Sequence, residues 1–367
     1  MDHLKVILLV TSFIIPFILA FQIFVSSKTN ISKLIMSFAL FNSSLIFLFN
    51  YFYFQNDYIL YYPFHSIHAG LELWLYPSIY LYIKSIVFDN KKIKTDLWHF
   101  ALGAIVMVFA SLFFYSFIGK EDMIFFLKNN KTVYHFTGLK FQLLILTRYV
   151  ELIIIALQAL YYSIAFVRIP KVYNERLKNE FSNIENFSID WINKYNISFG
   201  ICGLIGFLVY TFTPIRGYHE LIIEFVFFVF SAFLCTMGIV SLKQQIPSVN
   251  LDEVNLSENK AITRNKFIDD RLLNELKNHI ENEHAYLQSE ISLTNVSRLL
   301  GTNRSYLSSI INQQFGVNFN TYINQHRVKY VHDYLEKNPL ITKEELAHLS
   351  GFGSRSTMNR ALNKIKK

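Results

Sequence analysis

SLTNVSRLLGTNRSYLSSIINQQF, residues 292–315, is the stretch on which the fold turns. Ser292 stands where a side-chain oxygen can cap a short helix, LTNVSRLL, that stops before Gly301. GTN then makes a turn. RSYLSSIINQQF follows as a second helix, with Tyr306, Leu307, Ile310, Ile311 and Phe315 on its inner face. Short helix, glycine-containing turn and second helix is the helix-turn-helix layout.

The layout recurs. Thr342 and Glu345 form a T-x-x-E capping box ahead of KEELAHL. SGFGS makes the turn and RSTMNRALNKI the second helix. Leu299 and Gly301 correspond to Leu349 and Gly351, 50 residues on, and Arg304, Ser305 and Leu307 to Arg355, Ser356 and Met358, 51 on. The extra residue falls in the turn. Between the units lies NFNTYINQHRVKYVHDYLEK, closed by Asn338 and Pro339 and made amphipathic by Tyr322, Ile323, Val328, Val331 and Leu335. A helix of about 18 residues is roughly 27 Å long. Successive major-groove entries on one DNA face are about 34 Å apart. A linking helix of this length suits two helices that enter adjacent grooves.

With this order and spacing, Phe267 to Lys367 resembles the AraC-type DNA-binding domain. The resemblance rests on SRLLGTNRSYLSSIINQQFGVNFNTYINQHRVKYVHDYL and ITKEELAHLSGFGSRSTMNRAL. It includes the Ser-Tyr-Leu-Ser opening of the first recognition helix, Gly316 and Phe319 after it, Arg327, and Gly351-Phe352 before the second. It implies a bacterial transcription regulator with double-stranded DNA as partner. By position, Arg304, Ser305, Ser308, Ser309 and Asn312 make the first groove-facing surface, and Ser354, Arg355, Ser356, Asn359 and Arg360 the second. Arg and Asn can read guanine and adenine edges; Ser more often holds phosphate. Arg327 is expected to brace the two units internally. Met358 and Leu362 stand where Phe is common and keep the face apolar. Family members usually continue past the second recognition helix with Gly, Pro and an aromatic, whereas this sequence ends at Lys367, so its second unit is expected to pack less firmly.

Upstream, Asn265 to Tyr286 reads as a helix with Phe267, Leu272, Leu276, Ile280 and Tyr286 along one stripe. Residues 244–264 are polar, include Pro247, and read as a linker. Charge divides the tail: residues 244–290 carry five basic and nine acidic side chains, residues 291–367 eleven basic and four acidic. A basic end domain suits a polyanion, although a solvated surface carries charge too.

Residues 1–243 are of another kind. The whole sequence of 367 residues is 52% hydrophobic and 17% charged, with 36 Phe and 22 Tyr, and the apolar excess lies here. Seven stretches approach the roughly 20 apolar residues that a helix needs to cross a bilayer. They are Val6–Val25, Leu34–Phe54, Ser66–Phe88, Leu97–Ile118, Gln142–Val167, Tyr195–Pro214 and Glu220–Leu242. With the N-terminus outside, the inner loops hold ten Lys and Arg and the outer segments six, which places the tail in the cytoplasm. Val6–Val25 lacks a following A-x-A site and is expected to stay as a span of the cytoplasmic membrane. The expected architecture is all-α: a seven-span bundle over residues 1–243, the linker 244–264, and the double helix-turn-helix domain over 265–367. The seven-span portion resembles the sensor portion of some bacterial AraC-type members by span count alone.

Ionisable groups inside the spans gather near the outer side: His68 and Glu72, Arg148 and Glu151, Glu220 and Glu224. Each pair is three or four residues apart and shares a helix face. Two readings stand: a polar pocket that receives a small-molecule or protein signal, or a set of interhelical ion pairs that fixes packing. Cys202 and Cys235 lie in apolar runs and form no disulfide framework or metal-ligand set. No catalytic motif, metal site or cofactor is expected. The alternative function is a transporter or membrane enzyme with a regulatory tail. A second copy of the chain is a further candidate partner.

Overall fold

The computed structural model describes residues 2–26, 30–87, 94–129, 138–184, 187, 189, 191–197, 220–243 and 266–365. These residues fold as helices, as expected for an all-α chain; their one β pairing is an isolated antiparallel bridge between Phe181 and Ser292. The linker 244–264 and the sixth apolar run beyond residue 197 lie outside the described residues. The chain divides into two compact units, Met1–Ile169 with Trp191–Gln244, and Pro170–Asp190 with Gln245–Lys367.

Unit 1 contains α1 (Asp2–Ser26), α2 (Ile31–Phe54), α3 (His65–Val87), α4 (Ala101–Leu112, extended by a π-turn to Ile118), α5 (Lys120–Asn129) and α7 (Glu220–Lys243). The 42-residue helix α6 (Leu139–Glu180) belongs to it up to Ile169. Helices α1, α2 and α7 pack on one another, α2 packs on α3, and α3 on α4. Small hydroxyl side chains join the first three: Ser37 Oγ donates to the Ala20 carbonyl (2.7 Å), Ser44 Oγ to Phe13 (2.8 Å) and Ser231 Oγ to Ser12 (2.7 Å). Such bonds let backbones approach closely without leaving a polar group bare in an apolar medium.

Five helical stretches among the described residues have the length and apolarity to cross a membrane: His3–Ser26, Ile31–Phe54, Asp96–Ile118, Leu139–Glu180 and Glu224–Lys243. They correspond to the first, second, fourth, fifth and seventh expected spans. The third expected span is helical, as α3, but is not among the five. It carries His65, His68, Glu72 and Lys84, and most of it is buried by its neighbours. A helix sheathed by other helices needs no lipophilic surface of its own. The outward faces of the others do present one: Ile105, Val108, Phe109 and Leu112 on α4, and Ile153, Leu157 and Leu160 on α6, are all exposed. Hydrocarbon accepts such a face; water penalises it.

Unit 2 holds α8 (Lys266–Lys277), α9 (Leu293–Leu299), α10 (Arg304–Phe315), α11 (Phe319–Lys337), α12 (Lys343–Leu349) and α13 (Arg355–Ile365). Helix α8 is shorter than the sequence suggests. It passes into a π-turn at Asn278–Asn282, and His284 takes a left-handed conformation (φ 55°) that ends the run before Tyr286. Each repeat helix starts on an oxygen-bearing side chain: Ser292 accepts from the Asn295 N–H, Asn303 from Tyr306, Asn318 from Thr321, Thr342 from Glu345 and Ser354 from Thr357. The 50- and 51-residue offsets recur in the starts of α9 and α12, and of α10 and α13.

Two apolar cores result. The first gathers Leu272, Leu276, Ile280, Leu293, Val296, Leu307, Ile311, Phe319 and Ile323 among fifteen buried residues. The second has seven: Val328, Val331, Leu346, Ala347, Phe352, Met358 and Ala361. Helix α11 contributes to both, its first half to one core and its second half to the other. Met358 and Leu362 supply the apolar face expected of them.

Gly301 and Gly351 occupy the same place in the two units, and both have positive φ (63° and 78°). A Cβ on Gly301 would meet open space, whereas one on Gly351 would lie 2.6 Å from the Leu287 carbonyl oxygen and 2.8 Å from that of Tyr286. Gly301→Ala should cost about 1 kcal/mol from backbone strain alone. Gly351→Ala adds a clash with backbone that cannot move aside, and should cost roughly 2–4 kcal/mol. Hydrogen exchange at α11 amides in the purified chain measures both; equal effects would contradict the packing difference.

Candidate nucleic-acid interface

The outward face of α10 is built by elimination. Tyr306, Leu307, Ile310 and Ile311 are buried in the first core, so Arg304, Ser305, Ser308, Ser309 and Asn312 share the opposite side. Asn312 is exposed, and the three serines are half-buried; Ser309 Oγ accepts from Gln313 Nε2 at 2.7 Å. On α13, Met358 and Ala361 turn inward, while Arg355, Ser356 and Arg360 are exposed and Asn359 is half-buried. Arg360 Nη2 lies 3.5 Å from Ser356 Oγ. Ser354 is occupied as the N-cap of α13. It stays at the head of the second surface, with its oxygen already engaged by backbone.

The two leading arginines are held very differently. Arg355 Nη1 lies 3.3 Å from Glu344 Oε1, with 51% and 65% of the side chains exposed. Such a pair is worth about 0–1 kcal/mol and is easily exchanged for a phosphate or base. Arg304, by contrast, has 15% of its side chain exposed and donates from Nε to Glu180, which is fully buried. Glu180 Oε1 also accepts the Thr294 backbone N–H at 3.0 Å, in the first turn of α9, where a carboxylate is favoured by the helix dipole. Nothing in the sequence points to this partner, 124 residues before Arg304.

Glu180 opens a short segment that threads the first unit. The Ser182 N–H donates to the Ile291 carbonyl (3.3 Å). Asn320 Nδ2, in the first turn of α11, donates to the carbonyls of Phe181 (3.1 Å) and Ser182 (2.6 Å). Arg327, fully buried, donates from Nε to the Tyr286 carbonyl (2.6 Å) and from Nη2 to the Gln288 carbonyl (2.8 Å) and Ser182 Oγ (3.0 Å). Its guanidinium carbon lies 5.5 Å from the centre of the Phe352 ring, in the second core. Arg327 is thus the internal brace that its position suggests. Burial pulls its pKa from 12.5 down to about 9, which leaves it charged at neutral pH.

In unit 1 the six expected polar residues divide. His68 Nε2 lies 3.6 Å from Glu72 Oε1, and its Nδ1 3.2 Å from the Tyr61 hydroxyl. Arg148 and Glu151, both half-buried, are within electrostatic range of Glu72 and Tyr61. Glu224 is fully buried and pairs with Lys5 Nζ of α1 at 3.3 Å. Glu220 is the first residue of α7, and its side chain lies outside what is described. Helix α6 is tied to α3 lower down, where Gln158 Nε2 donates to the Leu73 carbonyl at 2.9 Å.

Arg304→Ala leaves the Glu180 carboxylate buried without its counter-charge and should destabilise unit 2 by roughly 3–5 kcal/mol. Arg355→Ala should cost less than about 1 kcal/mol. Hydrogen exchange at α9 and α11 amides in the purified chain ranks the two, and a reversed order would contradict the contrast in burial.

The family model described as a helix-turn-helix domain matches residues 296–367. No curated protein and no solved structure matches the chain. The match falls on the two repeated units, so residues 296–367 carry a helix-turn-helix domain, in support of the AraC-type resemblance.

Proposed function

We propose that the chain is a membrane-anchored, sequence-specific transcription regulator that binds promoter DNA through α10 and α13 while unit 1 sits in the cytoplasmic membrane of a bacterium. The observation that carries this reading is the pair of capped helices, each with an arginine at its start and a polar outward face, joined by the 19-residue helix α11. At 1.5 Å per residue α11 is about 29 Å long, which suits entry into adjacent major grooves. Arg304, Ser305, Ser308, Ser309 and Asn312 are assigned to the first groove. Arg355, Ser356, Asn359 and Arg360 are assigned to the second, with Ser354 holding the helix end. The N-terminus lies outside and unit 2 in the cytoplasm, in keeping with the excess of Lys and Arg in the inner loops. Within residues 1–243 the membrane domain is unit 1, with Pro170–Asp190 an inner loop that belongs to unit 2; 244–264 are the linker and 265–367 the DNA-binding domain.

His68, Glu72, Arg148 and Glu151 receive the signal in this reading, with Tyr61 beside them. Ionisable groups that gather inside apolar helices are costly and are commonly functional. Glu224 serves packing instead, through Lys5. The regulator works as a single polypeptide or as a pair of copies on neighbouring half-sites.

Two tests follow. The full chain in lipid nanodiscs should retard genomic promoter fragments selectively over bulk competitor DNA, with affinity that falls steeply between about 50 and 200 mM salt. Arg355→Ala should weaken specific binding by about 1–3 kcal/mol; equal binding to every sequence would overturn the reading. In cells, a reporter driven by a bound promoter should lose its induction in the Arg148→Ala strain while protein level holds. Full induction there would remove the cluster from signal reception.

A further inference from the structure

We propose that Glu180–Asn183 is a latch that withholds the first recognition helix from DNA by occupying Arg304, an inference that rests on reading α10 as DNA-facing. Four attachments within unit 2 seat the segment. The buried Glu180 carboxylate takes the Arg304 guanidinium and the Thr294 N–H (3.0 Å). The Ser182 backbone pairs with Ile291, and its hydroxyl accepts from Arg327 (3.0 Å). Asn320 holds the carbonyls of Phe181 and Ser182. Asn183 lies against Gly353, in the turn before α13.

The contact competes directly with DNA. A guanine is read by two guanidinium N–H donors aimed at O6 and N7. With its Nε held by the buried Glu180 carboxylate and only 15% of its side chain exposed, Arg304 is turned inward and does not present that pair of donors to a base. The latch is exchangeable, because on release Glu180 gains water and Arg304 gains DNA. Glu180 is the last residue of α6, the helix that bears Arg148 and Glu151, and Pro170, within that helix, begins unit 2.

The test compares full-length wild type, Glu180→Gln, Asn320→Ala and the double variant Glu180→Gln/Arg304→Ala in nanodiscs, titrated against a fluorescein-labelled genomic promoter duplex that the wild type retards. If the latched form dominates, Glu180→Gln and Asn320→Ala each bind about tenfold tighter than wild type, because apparent affinity scales with the competent fraction. The double variant loses that gain. Hydrogen exchange on the wild type gives a second readout that needs no substitution: the duplex should speed exchange at the Ser182 amide. Unchanged or weaker binding by both single variants, with the Ser182 amide as protected on DNA as off it, overturns the latch while leaving DNA binding intact. Failure of every form to retard any promoter fragment overturns the DNA-binding reading, and the latch with it.

Discussion

A guanidinium taken wholly out of water is tolerated only where other atoms replace its hydration, and the organisation of unit 2 follows from how that is done for Arg327. The side chain is fully buried. Its donors are spent on the carbonyls of Tyr286 and Gln288 and on the Ser182 hydroxyl, and its charge faces the Phe352 ring. Those partners come from three places: the turn before α9, the segment after α6 and the second core. Helix α11 runs through both cores, and Gly351 brings the second unit against the turn at Tyr286 and Leu287. The buried cation adds a polar tie between the turn before α9, the segment after α6 and the second core.

The near-repetition of the two units conceals an asymmetry in how they are committed. Each begins its second helix with an arginine beside an acid. One pair is exposed and weakly coupled to the rest of the fold; the other is buried at the end of a carboxylate-bearing segment. The energetic difference lies in solvation, since the same two charged groups interact through water in one case and through protein in the other. Arg355 can therefore leave its partner at little cost, while Arg304 has to give up a buried one.

Two sets of polar groups stand out among the described residues of unit 1. Lys5 and Glu224 join α1 to α7, and Ser12, Ser37 and Ser44 join the backbones of neighbouring helices. His68, Glu72, Arg148 and Glu151 gather around Tyr61, between α3 and α6. The central helix α3 carries much of this polarity because its neighbours shield it. That is also why it reads less clearly as a span than the helices that surround it.

The sequence by itself determined the helical class, the change of character near residue 243, the repeated helix-turn-helix units and the inward faces of α10, α11 and α13. Each of these is local: caps, turn glycines and apolar spacing act over a few residues and leave their mark in order. It also marked Arg327 as internal, through the position the residue holds in a recognised pattern. The partners of the charged groups were decided by tertiary structure. Glu180 is one acid among many in the sequence, and only the fold sets it beside Arg304 and Thr294. Glu224 shares a helix face with Glu220 by spacing, yet its charge is met by Lys5, more than two hundred residues earlier in the chain. Helix α8 stopped short where a π-turn and a left-handed His284 intervened, which no apolar stripe records. Periodicity shows which side of a helix is buried; which groups meet there depends on how distant segments are folded back, and a buried charge accepts whichever partner that folding supplies.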